Sequence, residues 1–138
     1  MKITNSTITL ESEGHCHIMD ITSRVEEILE KSGLQKGNVI VFVSGSTAAV
    51  TTIEYEPGLI RDLPELLDRL IPEGSYHHDA TWGDGNGYAH LRSAFIGTSF
   101  TVPFAEARLL LGTWQQIVCI DFDNRPRQRR LAVQVMGE

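Results

Sequence analysis

An α+β fold with a mixed or largely antiparallel β-sheet is predicted for this chain, and three observations predict it. Short apolar stretches of strand length lie toward both ends of the chain. Two amphipathic helical stretches lie among them, and Gly, Pro and Asn mark the breaks. The expected order is about β2-α-β2-α2-β4, in one domain spanning residues 1–138. That length suits a single domain, on a prior of roughly 150 residues per domain, and suffices to bury a core without a metal or disulfide staple.

Residues 3–10 alternate loosely through Ile3, Ile8 and Leu10, and Cys16 and Ile18 resume after Ser12-Glu13-Gly14, as in an opening hairpin. A helix is expected over 22–32. Thr22 or Ser23 can cap it, Ser23 with Glu26 fits a capping box, and Ile21, Val25, Ile28 and Leu29 share a face. Gly33 is placed to end it. Val39–Val43 is β-branched and apolar on both faces, as in a central strand, and residues 50–55 form the next.

Pro57 and Gly58 break the pattern. Asp62 and Glu65 make a second capping pair, with Pro64 in the first turn, where its missing N–H costs no helical bond. Leu63, Leu66, Leu67 and Leu70 face the core until Pro72 stops the helix. A polar, glycine-rich loop covers 73–87, and a helix at about 87–95 ends at Gly97. Four strands follow, near 98–103, 107–111, 114–122 and 128–136.

Composition narrows the classes. Lys and Arg total 12 against 18 Asp and Glu, a net charge of −6. Such a balance disfavours nucleic acid and anionic membrane as partners. No apolar run approaches the ~20 residues of a membrane span, and the first residues lack a signal peptide's apolar core. Cys16 and Cys119 form neither a metal-spaced pair nor a disulfide framework. A soluble, cytoplasmic, reduced protein is expected.

The densest chemistry lies in residues 76–90, which hold His77, His78, His90, Asp79 and Asp84 among glycines 83, 85 and 87. Imidazoles and carboxylates suit zinc or a similar divalent ion, although the His78 to His90 spacing matches no standard zinc motif. The alternative is a surface loop with turn-capping Asp and Asn. Asn86 and His90 are four apart and share a helix face. Ser44-Gly45-Ser46-Thr47 is either a hairpin turn or a phosphate-holding turn without a P-loop lysine. Glu54, at a strand end, is either a base or a solvated carboxylate. Arg125, Arg127, Arg129 and Arg130 either pair across a hairpin with Asp121 and Asp123 or form an anion site, for which Arg130 is the inward candidate. His15 and His17 share a strand face and are read as surface residues.

Taken together, the chain resembles the YjbQ-like family, whose members are often named secondary thiamine-phosphate synthase enzymes. The resemblance is densest in Tyr76-x-His78-Asp79, Asn86-x-x-Ala89-His90, Gly97-x-Ser99 with Pro103, and Leu111-Gly112-Thr113-Trp114-Gln115. It implies an α+β subunit in a homotrimer, with a polar cleft near the subunit contacts. It also implies coupling of hydroxymethylpyrimidine diphosphate with thiazole phosphate, releasing pyrophosphate. On this expectation Glu54, Asp79 and His90 are catalytic, and Ser46, Thr47, Asn86, Gln115 and Arg130 bind a small phosphorylated metabolite. His78, His90 and Asp84 would hold a divalent ion, zinc or magnesium. Many relatives carry His where this chain has Gly45, and Gly85 interrupts a frequent Asp-Asn pair. The alternative is a non-catalytic trimer that binds a metal or a phosphorylated metabolite.

Overall fold

A computed structural model describes all 138 residues. The elements run β1 (Lys2–Ser12), β2 (His17–Asp20), α1 (Thr22–Ser32), β3 (Lys36–Val43), β4 (Ala48–Ile53), α2 (Pro57–Leu70), α3 (His77–Trp82), α4 (Gly87–Ile96), β5 (Ser99–Ala105), β6 (Arg108–Leu109), β7 (Gln116–Asp121) and β8 (Arg127–Gly137). The predicted α+β order therefore holds, with one added helix, α3, inside the stretch expected to be loop. No helix is long and apolar enough to cross a membrane.

Every strand pairing is antiparallel. One sheet has the order β1-β8-β3-β5-β6 and the other β2-β7-β4. Ile8, Val39, Val41, Leu131, Val133 and Val135 line the inner face of the large sheet and meet Ile117, Cys119 and Val50 of the small one, with Val25 and Leu29 of α1. The opposite face of the small sheet carries Val118, Ile120, Ala49 and Ile18. It packs on Leu67 of α2 and on Tyr88 and Ala89 of α4. Strand β7 is thus covered on both faces, as its near-continuous apolar run requires.

Three local expectations are corrected. The opening strands form no hairpin: β1 pairs with β8 and β2 with β7. Gly14, His15 and Cys16 all adopt left-handed φ, which turns the chain from one sheet to the other. Helix α1 carries no side-chain cap. Thr22 Oγ1 instead donates to Asp20 Oδ1 at 2.7 Å and accepts the Ile117 N–H at 2.8 Å, tying the helix start to β7. Helix α2 begins at Pro57, not Asp62: the Glu56 carboxylate accepts the N–H groups of Gly58 and Leu59, and Pro57 sits at the first helical position. Pro64 lies within that helix, and Glu65 pairs with Arg61 at 3.0 Å.

Gly37 shows how closely the large sheet is drawn together. Its φ is +151°, and it faces Gly137 of β8. A Cβ on Gly37 would overlap the Met136 carbonyl oxygen. Gly37→Ala is therefore expected to destabilise the fold by about 1–3 kcal/mol from backbone strain alone. Urea unfolding of that variant with wild-type stability would refute this account of the β3–β8 contact.

Candidate functional site

The connection from β3 to β4 crosses between the two sheets, so Ser44–Thr47 is not a hairpin turn. It lies where the inter-sheet layer meets the surface. Two chain segments meet it there. One is the β7–β8 turn, and the other runs from α3 into α4. Together they line a pocket of about 380 Å³, which includes Ser46, Thr47, His78, Asn86, His90 and Arg129.

Strand parity explains the charged floor. Leu131, Val133 and Val135 of β8 face the core, so Arg129 shares their side. Asp121 follows Ile117 and Cys119 of β7 onto the facing surface. Arg129 donates to Asp121 through Nε at 2.7 Å and Nη2 at 2.8 Å, a bidentate pair in which the carboxylate is wholly buried. Nη2 also donates to Thr47 Oγ1 at 2.6 Å. Thr47 Oγ1 donates to Asp123 Oδ2 at 2.9 Å, and Arg127 Nε donates to the same oxygen at 3.0 Å. Asp123 Oδ1 accepts from Asn86 Nδ2 at 3.3 Å and from the Asn124 N–H at 2.8 Å. Burial would raise the Asp123 pKa, but these hydrogen bonds and Arg127 outweigh it and hold the carboxyl below its usual range.

Gly45 adjoins the same cluster. A Cβ there would stand 2.7 Å from Arg129 Nη1, so this position leaves room for the guanidinium rather than a side chain. Arg130, on the other face of β8, is exposed and does not line the pocket. The inward arginine is Arg129, which corrects the expectation for Arg130.

The two histidines do converge. The rings of His78 and His90 lie 4.2 Å apart, tilted by 40°. Helix α3 presents His78 and α4 presents His90, and Asp79 holds the two helices together. Its carboxylate accepts the Tyr76 N–H at 3.0 Å and the Gly87 N–H at 2.9 Å. Those two bonds, with His78 nearby, keep Asp79 ionised below its usual range. Both oxygens being bound to backbone, Asp79 positions the helices and is poorly placed to move a proton. Ser93 Oγ anchors α4 to β4 by donating to the Ala48 carbonyl at 2.6 Å.

Burial and then the charge of His78 push the His90 pKa below 6.5, so the ring stays neutral at pH 7. On acidification, any activity that needs neutral His90 is expected to persist below pH 6.5, the ordinary histidine value, before falling. An NMR titration of the His90 ring placing its midpoint above 6.5 would contradict this.

Glu54 and Gln115 are not brought to this pocket. Strand β4 separates Thr47 from Glu54 by roughly 23 Å, at ~3.3 Å per residue. Glu54 is exposed in a groove with Asp20, Tyr55 and Trp114. Gln115 Nε2 donates to Thr52 Oγ1 at 3.2 Å.

The donor set gives a divided answer on a metal. No three His, Cys, Asp or Glu side chains converge closely enough to hold an ion. His78 Nδ1 lies 3.8 Å from Asp79 Oδ1 and 4.0 Å from Asp84 Oδ1, too far for hydrogen bonds. Yet His78 Nδ1 and Asn86 Oδ1 are both buried without a partner, and both residues line the pocket. Zinc sites use three or four protein ligands, so this arrangement in one chain falls short of one. Magnesium takes few protein ligands beside substrate phosphates, and Asp84 suits that role.

These observations define an α+β two-sheet protein with a polar pocket of paired imidazoles over a buried Arg–Asp cluster. The chain belongs to the family described as UPF0047 protein YjbQ-like, whose model matches residues 6–138. A UPF0047 protein of Archaeoglobus fulgidus is 38% identical over 130 residues, 94% of this chain and 98% of that one. The UPF0047 protein YugU of Bacillus subtilis is 31% identical over 95% of this chain and 98% of its own. A hypothetical protein of Aeropyrum pernix K1 has a crystal structure that superposes with a TM-score of 0.91 at 35% identity, over 98% of this chain and 99% of that one.

Proposed function

We propose that the pocket binds a small phosphorylated metabolite and acts in group transfer, with secondary thiamine-phosphate synthase activity as the specific reaction. The observation that carries this reading is the pairing of His78 with His90 in the same pocket as Arg127 and Arg129. Arg129 Nη1, which makes no bond to Asp121 or Thr47, and the hydroxyl of Ser46 are the groups suited to phosphate oxygens. In the coupling, the thiazole nitrogen forms a bond to the pyrimidine methylene carbon. The carbon–oxygen bond breaks, and its electron pair leaves on pyrophosphate. Neutral His90 would donate an N–H hydrogen bond to that departing oxygen. Bound magnesium would offset charge on the diphosphate, with Asp84 as its protein ligand.

A homotrimer is proposed as the assembled form. Trp114, Phe95 and Leu110 are exposed apolar side chains that a neighbouring copy would cover. Assembly would also give Glu54 and Gln115, remote from the pocket of their own chain, a place at a neighbour's.

One observation favours non-catalytic binding instead. Asp79 is bound to backbone and Glu54 is remote, which leaves His90 as the sole proton-transfer group among the expected catalytic residues. Incubating the protein with both substrates and Mg²⁺ separates the readings. Thiamine phosphate accumulating with released pyrophosphate is the expected result. Saturable pyrophosphate binding without turnover would establish the binding reading and overturn the transferase one.

A further inference from the structure

We propose that the Asp84–Gly85 linkage is a site of spontaneous isomerisation to isoaspartate, and that the fold suppresses the same chemistry at Asn86–Gly87. Residues 84–87 read Asp-Gly-Asn-Gly and contain the chain's only Asp-Gly and only Asn-Gly dipeptides. Glycine has no side chain to obstruct its own backbone nitrogen, so the preceding side-chain carbonyl carbon lies open to it. The Gly85 nitrogen bonds to Cγ of Asp84, the carboxyl C–O bond breaks, and water leaves with the amide proton. Water then adds to the former main-chain carbonyl of this succinimide and breaks its bond to nitrogen. The chain now runs through the side-chain carbon, and its composition is unchanged. At Asn86 the leaving group is ammonia, and the hydrolysed product is aspartate or isoaspartate. An ionised carboxylate resists such attack more than an amide does, so Asn86 reacts first in an unfolded chain.

The structure reverses that order. Asp84 and Gly85 are both exposed, and the Gly85 N–H makes no hydrogen bond. A side chain at Gly85 would meet only Asn124 Nδ2, at 4.0 Å. That same Nδ2 supplies the one tie on this linkage, donating to the Asp84 carbonyl at 2.9 Å. Asn86 and Gly87 are buried, and each reacting end is held by a separate carboxylate. Asp123 accepts from the Asn86 amide at 3.3 Å, and Asp79 accepts the Gly87 N–H at 2.9 Å. Gly87 also opens α4, where the Asn86 carbonyl accepts from Ala89 and His90. Closing the ring at Asn86 first breaks both carboxylate bonds, whereas closing it at Asp84 breaks neither. Asp79 thereby protects Asn86 as well as fastening the helices. Isomerised Asp84 carries its carboxylate on Cα, where Asn124 met the carbonyl, so the rim of the pocket changes shape.

Peptide mapping of the full chain, aged at neutral pH either folded or in guanidinium chloride, tests the inversion. Isoaspartate is read by enzymatic carboxyl methylation and by fragmentation of the peptide spanning 84–87, and deamidation by its mass gain. In the folded protein isoaspartate is expected at 84 while Asn86 stays intact. In guanidinium chloride Asn86 is expected to react first, and several-fold faster than when folded. Asp84→Glu keeps the charge but cannot close the same ring, so it should lose the signal at 84. Asp79→Ala, shown to be folded by circular dichroism, should let Asn86 deamidate several-fold faster than in the wild type. Deamidation of Asn86 ahead of Asp84 in folded wild type overturns the proposal. So does folded wild type that forms no more isoaspartate at 84 than Asp84→Glu does. A folded Asp79→Ala that keeps Asn86 as slow as in the wild type overturns the protecting role of Asp79. If that variant does not fold, the wild-type order in the two conditions decides.

Discussion

Replacing Arg129 by methionine is expected to lower the unfolding free energy by about 3–5 kcal/mol. The reason lies in what is left behind. Asp121 is fully buried at the end of the inter-sheet core and receives two guanidinium hydrogen bonds. Methionine fills much of the same volume but leaves that carboxylate charged, dry and short of donors. Thr47 also loses a donor at 2.6 Å, and Arg127 is left to balance Asp123. Urea unfolding measures the effect directly. The double variant Arg129→Met/Asp121→Leu distinguishes the pair's worth from the cost of orphaning one member: it should recover much of the loss, because neither partner is then buried alone. A loss below about 1 kcal/mol for Arg129→Met would mean the pair behaves like a solvated surface bridge.

The second large effect concerns turnover. His90→Ala is expected to reduce thiamine phosphate formation by about 10²–10⁴-fold, the range for removing a positioned acid–base group. His90 is only half-buried and makes no side-chain hydrogen bond that holds the fold, so denaturant unfolding should stay near the wild-type midpoint. The same variant should still bind pyrophosphate, since Arg127, Arg129 and Ser46 remain. Equal rates in the variant and the wild type would clear His90 of any chemical role. Lost binding with unchanged turnover at saturation would make it a ligand contact instead.

The large elements were legible because their periodicity is strong. The apolar run of β3, the amphipathic face of α1 and the left-handed turn at Gly33 all follow from local sequence. The pairing of the first two strands was not legible. Spacing makes a hairpin economical, and only the partners β8 and β7, about a hundred residues away or more, decide otherwise. The start of α2 was missed because Pro57 and Gly58 read as breakers. With Glu56 ahead of them, they are a cap and a first turn.

The site divides the same way. His78, His90, Asn86, Asp84, Ser46 and Thr47 do gather in one pocket. Arg129 was missed in favour of Arg130, although the signal was present. Leu131, Val133 and Val135 set the inward parity of β8, and Arg129 is on that parity while Arg130 is not. Asp121 and Asp123 looked like surface hairpin partners because their burial depends on a sheet contributed by distant sequence. Glu54 and Gln115 show the limit of grouping polar residues by type: Glu54 follows the end of β4 and Gln115 precedes the start of β7, at the far end of the small sheet.

The placement of β8 has a consequence for biosynthesis. It lies between β1 and β3, yet ribosomes make it after every other strand. Until Arg127–Gly137 emerges, β1 has no partner and β3 has one open side. The nascent polypeptide must therefore hold unsatisfied strand edges through most of translation, an interval in which chaperone shielding would guard against aggregation.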